Sequence, residues 1–251
     1  MIAETLLIFR RAMRLSLRNM TWVVIGLMQP ILYLALFGPL LKRVVGSPGF
    51  PKGDAWQVFV PGLLVQLGIF GAAFVGFGLI AELRAGVVER MRVTPASRAA
   101  LLLGRVLRDV VVLLVQGIVL VLAATVFGLR APLGGLILGL LVVGLLGAAF
   151  ASASYAAALV LKTEDSMAAV TNSLAVPILL LSGILLPMSL APGWLRGLSD
   201  VNPLKHVVDG VRDLFLGHIG TWTVFWGLFA TVGLVLAGLI LGTRTFARES
   251  S

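Results

Sequence analysis

Long apolar runs, broken by short charged stretches, set the pattern of the chain. Six runs of roughly 20 mostly apolar residues recur, near 22–41, 58–81, 106–127, 134–161, 168–186 and 222–242. Lipid offers the backbone no hydrogen-bond partner, so a segment crossing it must satisfy its own ladder as a helix. The pattern predicts an all-α polytopic membrane protein: one transmembrane domain over 1–251 with six transmembrane helices. Residues 1–20 read differently, because Leu6, Phe9, Met13 and Leu17 share one side of a helix while Arg10, Arg11, Arg14 and Arg18 crowd another. That is the pattern of an amphipathic interfacial helix. The first apolar run lies inside the chain, is long enough to span, and has no clear small-residue cleavage site after it, so no secretory leader is expected.

Composition sharpens this picture. With 59% hydrophobic and 12% charged residues, the chain has too little charge to cover a water-facing surface. The net charge of +9 would suggest nucleic acid in a soluble protein. Here the arginines sit beside the apolar runs, so the lipid bilayer is the expected partner and no nucleic acid is. An inner N-terminus places thirteen of the 20 Lys and Arg on the inner side and seven outside. The positive-inside rule then puts both termini in the cytoplasm of a cell-membrane protein. Cysteine is absent, which removes disulfides and thiolate chemistry.

Two segments between the runs carry charge. Over 82–98, Glu82, Gly86, Glu89, Arg90 and Arg92 precede Thr94 and Pro95, a cap-plus-proline signal that predicts a new helix near Ala96. The charges either anchor the neighbouring spans in headgroups or give a cytoplasmic partner something to push. Over 187–217, prolines and aspartates rule out a span. Asn202 and Pro203 start a helix there, with Leu204, Val207, Val208, Val211, Leu214 and Phe215 as its apolar stripe. Lys205, Asp209, Arg212 and Asp213 fall on the other side, Lys205 and Asp209 close enough to pair weakly. About fourteen residues give roughly 21 Å, too short to cross, so this helix lies on or dips into the outer face.

Within the spans, Gly135, Gly139, Gly147 and Ala151 form a small-residue face suited to close packing inside one subunit or between two. Pro177, after Asn172, predicts a kink or break in the fifth span. Asp109 lies near the inner edge, one turn from Arg105, and is expected to pair with it. Met28, Phe70, Phe74, Phe77, Asn172 and Pro177 are candidates for a lipophilic substrate path, against the plainer reading that they face lipid or core. The two histidines, His206 and His218, read as interfacial and solvated, and no catalytic or metal-ligating set is recognisable. With no P-loop signature, nucleotide phosphates have no such cradle here.

Glu82 to Arg105, with Gly86, Glu89, Arg90, Val93-Thr94-Pro95 and Leu103-Gly104-Arg105, resembles the cytoplasmic loop of the type-2 ABC exporter permeases, E-x-x-x-G-T-x-E-[RK]-x-x-V-T-P followed by L-L-G-[KR]. Asn202-Pro203-Leu204 through Leu216-Gly217 resembles the same family's stretch before the last span. Val87 stands where the family commonly has Thr. The resemblance implies the permease subunit of an ATP-driven exporter, a non-enzymatic drug-efflux component of a bacterial inner membrane. It would pair with a second permease copy, with a homodimer as the simplest case, on a separate ABC ATPase subunit that binds ATP and Mg. It makes 82–98 the cytoplasmic coupling helix, with Glu82, Gly86, Glu89, Arg90, Arg92, Thr94, Pro95 and Arg98 receiving the ATPase's motion. It makes 187–217 short extracellular re-entrant helices whose Asn202, Pro203 and Arg212 help gate exit. The cargo implied is a hydrophobic drug, antibiotic or lipid-like molecule. Polysaccharide or glycolipid export is the rival within the family, and an autonomous secondary carrier the rival outside it.

Overall fold

The computed structural model describes residues 2–18, 20–45, 53–86 and 97–248. Ten α-helices account for most of them: α1 (Ile2–Arg18), α2 (Thr21–Val44), α3 (Ala55–Ala73), α4 (Val75–Arg84), α5 (Arg98–Val126), α6 (Leu133–Leu161), α7 (Glu164–Leu181), α8 (Gly193–Asp200), α9 (Pro203–Phe215) and α10 (Trp222–Arg248). No strand occurs among the described residues. Five stretches are long and apolar enough to cross a membrane: Val23–Leu41, Ala55–Arg84, Ala99–Val126, Leu133–Leu161 and Trp222–Phe246.

Helix starts follow local chemistry. Asp54 caps α3 by accepting from the Ala55 amide at 2.8 Å while Gln57 accepts from the Asp54 amide at 3.1 Å. Asn202 caps α9 through the Leu204 amide at 3.0 Å, with Pro203 at the first helical position as expected. At α5 the cap is Ser97, whose Oγ accepts from the Ala100 amide at 3.4 Å, so the helix opens at Arg98, close to the start expected near Ala96. Thr94 and Pro95 lie outside the described residues.

α6 is the central post. α3, α4, α5, α9 and α10 all pack on it, which is why its Gly135, Gly139, Gly144, Gly147 and Ala151 are buried or nearly so. A Cβ on Gly135 would run into the Leu214 carbonyl of α9, and one on Gly139 would come 2.8 Å from the Phe215 ring. The small-residue face is therefore used within the chain. Apolar side chains fill two clusters along α6. The one around Phe59, Leu63, Val143, Leu146, Val207, Val211 and Phe215 lies toward α9. The other, around Leu79, Ile80, Leu102, Leu113, Tyr155 and Leu159, lies toward the start of α5.

Three expectations change. The second run is not one helix: its ladder is interrupted at Phe74, where the Phe77 amide donates to the Phe74 carbonyl three residues back at 3.2 Å. The fifth run stops at Leu181 and not at 186, because Gly183 turns the backbone at φ +70° and lays the turn over Gly62 of α3. With Glu164 and Asp165 in its first turn, α7 is less apolar than the five long stretches. Pro177 sits inside α7 without ending it.

Candidate functional site

The ends of the 82–98 segment are tied to three helices. Before it, Glu82 of α4 pairs with Arg105 of α5 at 2.6 Å, and Arg84 reaches Glu164 at the start of α7 at 3.2 Å. Gly86, at φ +66°, turns the chain away from α4. After it, the Ser97 amide donates to the Glu4 carboxylate of α1 at 2.9 Å. That bond holds the Glu4 carboxyl below the ordinary carboxylate range. α1 itself seats on α5 where a Cβ on Gly104 would meet Ile8 at 2.8 Å and the Thr5 carbonyl at 2.9 Å.

Polar contacts continue inward from this base. Asp109 is 3% exposed and pairs with Arg108 at 3.0 Å, while the buried Tyr155 hydroxyl donates to its other oxygen at 2.6 Å. The expected Asp109–Arg105 pair is replaced by these contacts, since the Arg105 guanidinium reaches across to Glu82. A charge held among apolar helices needs such partners. The residue before Tyr155 continues the chain of contacts: Ser154 Oγ donates to the Ala73 carbonyl at 2.6 Å and accepts from the Gly76 amide at 2.9 Å. It thereby satisfies the two backbone groups that the α3/α4 interruption frees. From Glu82 to Gly76, three separate sets of polar contacts on α4, α5 and α6 (Glu82–Arg105, Arg108–Asp109–Tyr155, and Ser154 with the break) make up a discontinuous relay from the base of the loop.

At the other end, Arg212 of α9 is buried, 5% exposed, and not on the polar side as expected. Its Nε donates to the Val58 carbonyl at 2.9 Å, Nη2 to the Gly183 carbonyl at 2.6 Å and Nη1 to Asp209 at 3.3 Å. One guanidinium so joins α3, the 182–187 turn and α9. α9 also crosses α10 at backbone distance: a Cβ on Gly227 would sit 2.8 Å from the His206 carbonyl and 3.1 Å from Gly210 Cα. Lys205 lies 4.0 Å from Asp209, the weak pair expected, and contacts Asp200 more closely. Its hydrogen bond pulls the exposed Asp200 carboxyl down from its usual range.

The family model described as ABC-2 type transporter matches residues 3–216, from α1 to the end of α9. The chain belongs to the ABC-2 type transporter family. Among similar proteins is the daunorubicin resistance ABC transporter permease protein DrrB1 of Streptomyces coeruleorubidus, 26% identical over 89% of this chain and 79% of that one. A putative transport permease, ycf38, of Cyanophora paradoxa is 29% identical over 89% and 77%. The probable doxorubicin resistance ABC transporter permease protein DrrC of Mycobacterium tuberculosis H37Rv is 25% identical over 86% and 78%.

In this ABC-2 chain the anticipated residues divide unevenly. Glu89, Arg90, Arg92, Thr94 and Pro95 lie outside the described residues, and Arg98 contributes the first backbone position of α5. Arg10, Arg11, Arg14 and Arg18 are exposed along α1. Of the candidate path, Phe74 and Phe77 meet at the break with ring centroids 6.0 Å apart. Phe70 packs half-buried against the α6 core, Met28 is exposed on α2, and Asn172 and Pro177 are exposed on α7. Sequence reasoning assigned no partner to Ser154, Tyr155 or Arg108. Their signal was available as polar positions inside or beside apolar runs, each requiring a partner.

Proposed function

We propose that this chain is the membrane permease subunit of an ATP-driven exporter, with two permeases working on separate ATPase subunits that bind ATP and Mg. The family match supports it, and the observation that carries it is the polar relay leading inward from the base of the 82–98 segment. In this reading the segment seats in the ATPase on the cytoplasmic side, where both chain termini also lie. Closure of the ATPase pair moves the segment, and Glu82–Arg105 and Ser97–Glu4 pass that motion to α4, α5 and α1. α7 serves as the sixth span, and α8 and α9 close the outer end. Two relatives are named as resistance permeases for daunorubicin and doxorubicin, which favours a drug-like cargo here; in this reading it is hydrophobic and enters from the bilayer past Phe74 and Phe77. Asp109 argues against an ion-coupled carrier, because its oxygens are already held by Arg108 and Tyr155.

Co-expression with an ABC ATPase chain from the same source tests the reading. The two should copurify, and Glu89→Ala should keep insertion while uncoupling ATP hydrolysis from export. Transport by the lone chain in vesicles, with no nucleotidase present, would overturn it.

A further inference from the structure

α1 has three distinct sides. Thr5 and Ile8 press against Gly104 of α5. Ile2, Leu6 and Leu17, 86%, 47% and 57% exposed, line an adjoining flank. Next to that flank run Arg10, Arg11, Arg14 and Arg18, all exposed. Among the described residues no carboxylate pairs with any of the four. The single acid of α1, Glu4, is turned to the Ser97 amide. A cationic stripe bordered by bare aliphatic side chains, beside the charged end of a spanning helix, matches headgroup phosphates above acyl chains and not water.

We propose that α1 is a seat for anionic phospholipid. The four guanidiniums bind headgroup phosphates, Ile2, Leu6 and Leu17 enter the acyl boundary, and lipid held there orders the first turn of α5 through Glu4 and Ser97. The inference rests on α5 spanning the membrane and is independent of ATP coupling. Lipid composition then becomes an input to the same segment end that the exporter reading assigns to the ATPase.

The test uses the purified full chain in nanodiscs of phosphatidylcholine alone or mixed with phosphatidylglycerol, read by amide hydrogen exchange. Each arginine near an anionic surface is worth roughly fivefold in affinity. Phosphatidylglycerol should therefore slow exchange over 2–18 and 97–104 by at least about tenfold. The combined R10Q/R11Q/R14Q/R18Q variant should lose that effect, whereas lysine at the same four positions should retain it. E4A should keep the lipid protection of α1 while losing it over 97–104. Unchanged exchange in α3 and α6 shows that each variant is folded, and L6S/L17S, which keeps every charge, should weaken the lipid effect independently. Equal exchange of the native chain in the two nanodiscs overturns the proposal, as does a lipid effect that survives in the glutamine variant. Protection of α1 that arises only when an ATPase chain is added, with no lipid dependence, assigns the surface to protein instead.

Discussion

The two ends of the helix bundle are held by different kinds of contact. Around α9, backbone meets backbone: Gly135 under the Leu214 carbonyl, Gly62 under Ile184, Gly210 against Gly227, with Arg212 as a buried charged clasp. Around the start of α5, Gly104 and Gly76 also approach neighbouring backbone, but charged side chains add links between helices: Glu82 to Arg105, Arg84 to Glu164 and Glu4 to the Ser97 amide, with Asp109–Tyr155 behind them. Close-packed backbone cannot slide without collision, whereas long polar side chains can exchange partners at small cost. The end beside 82–98 is thus richer in contacts that can exchange, and the α9 end in contacts that cannot.

Substitutions can break this contrast, and the largest effect belongs at the α9 end. Gly135→Val drives two methyls into the Leu214 carbonyl and should cost about 3 kcal/mol or more, seen as loss of folded protein in thermal unfolding in detergent. Arg212→Ala leaves the Gly183 carbonyl without its donor and should cost about 2–3 kcal/mol, with faster exchange confined to 182–187 and α9. Tolerance of both would erase the distinction. At the end beside 82–98, Asp109→Asn keeps an acceptor for Tyr155 but removes the charge facing Arg108, a loss of about 1–2 kcal/mol. Its transport defect should exceed its stability defect, and equal defects would mark the relay as packing alone. The smallest effect is a pH dependence. Glu4 is held below the ordinary carboxylate range, so its hold on Ser97 is complete above that range and fades only as pH falls through the lowered value. Protection of the Ser97 amide, corrected for intrinsic exchange, should follow that course and vanish in E4A.

Much of the architecture was legible because span length and cap chemistry are local. The α6 and α10 starts, the Asn202-Pro203 cap and the α9 stripe all follow from nearest neighbours in sequence. The misses are long-range. The break at Phe74 is satisfied by Ser154, which donates to the Ala73 carbonyl across 81 positions. Arg212 looked solvent-facing because its acceptors, Val58 and Gly183, belong to other elements. Asp109 was assigned to Arg105 by helix spacing, but a guanidinium with a carboxylate on a neighbouring helix within reach takes that one instead.

The interruption at Phe74 makes α4 a short lever hung from a fixed beam. Its 10 residues are about 15 Å long at a rise of about 1.5 Å each. A tilt of about 10° at the joint displaces the far tip by roughly 2–3 Å, about one hydrogen-bond length. A tilt of α4 alone would part Glu82 from Arg105, so while that pair holds, α5 has to move with α4.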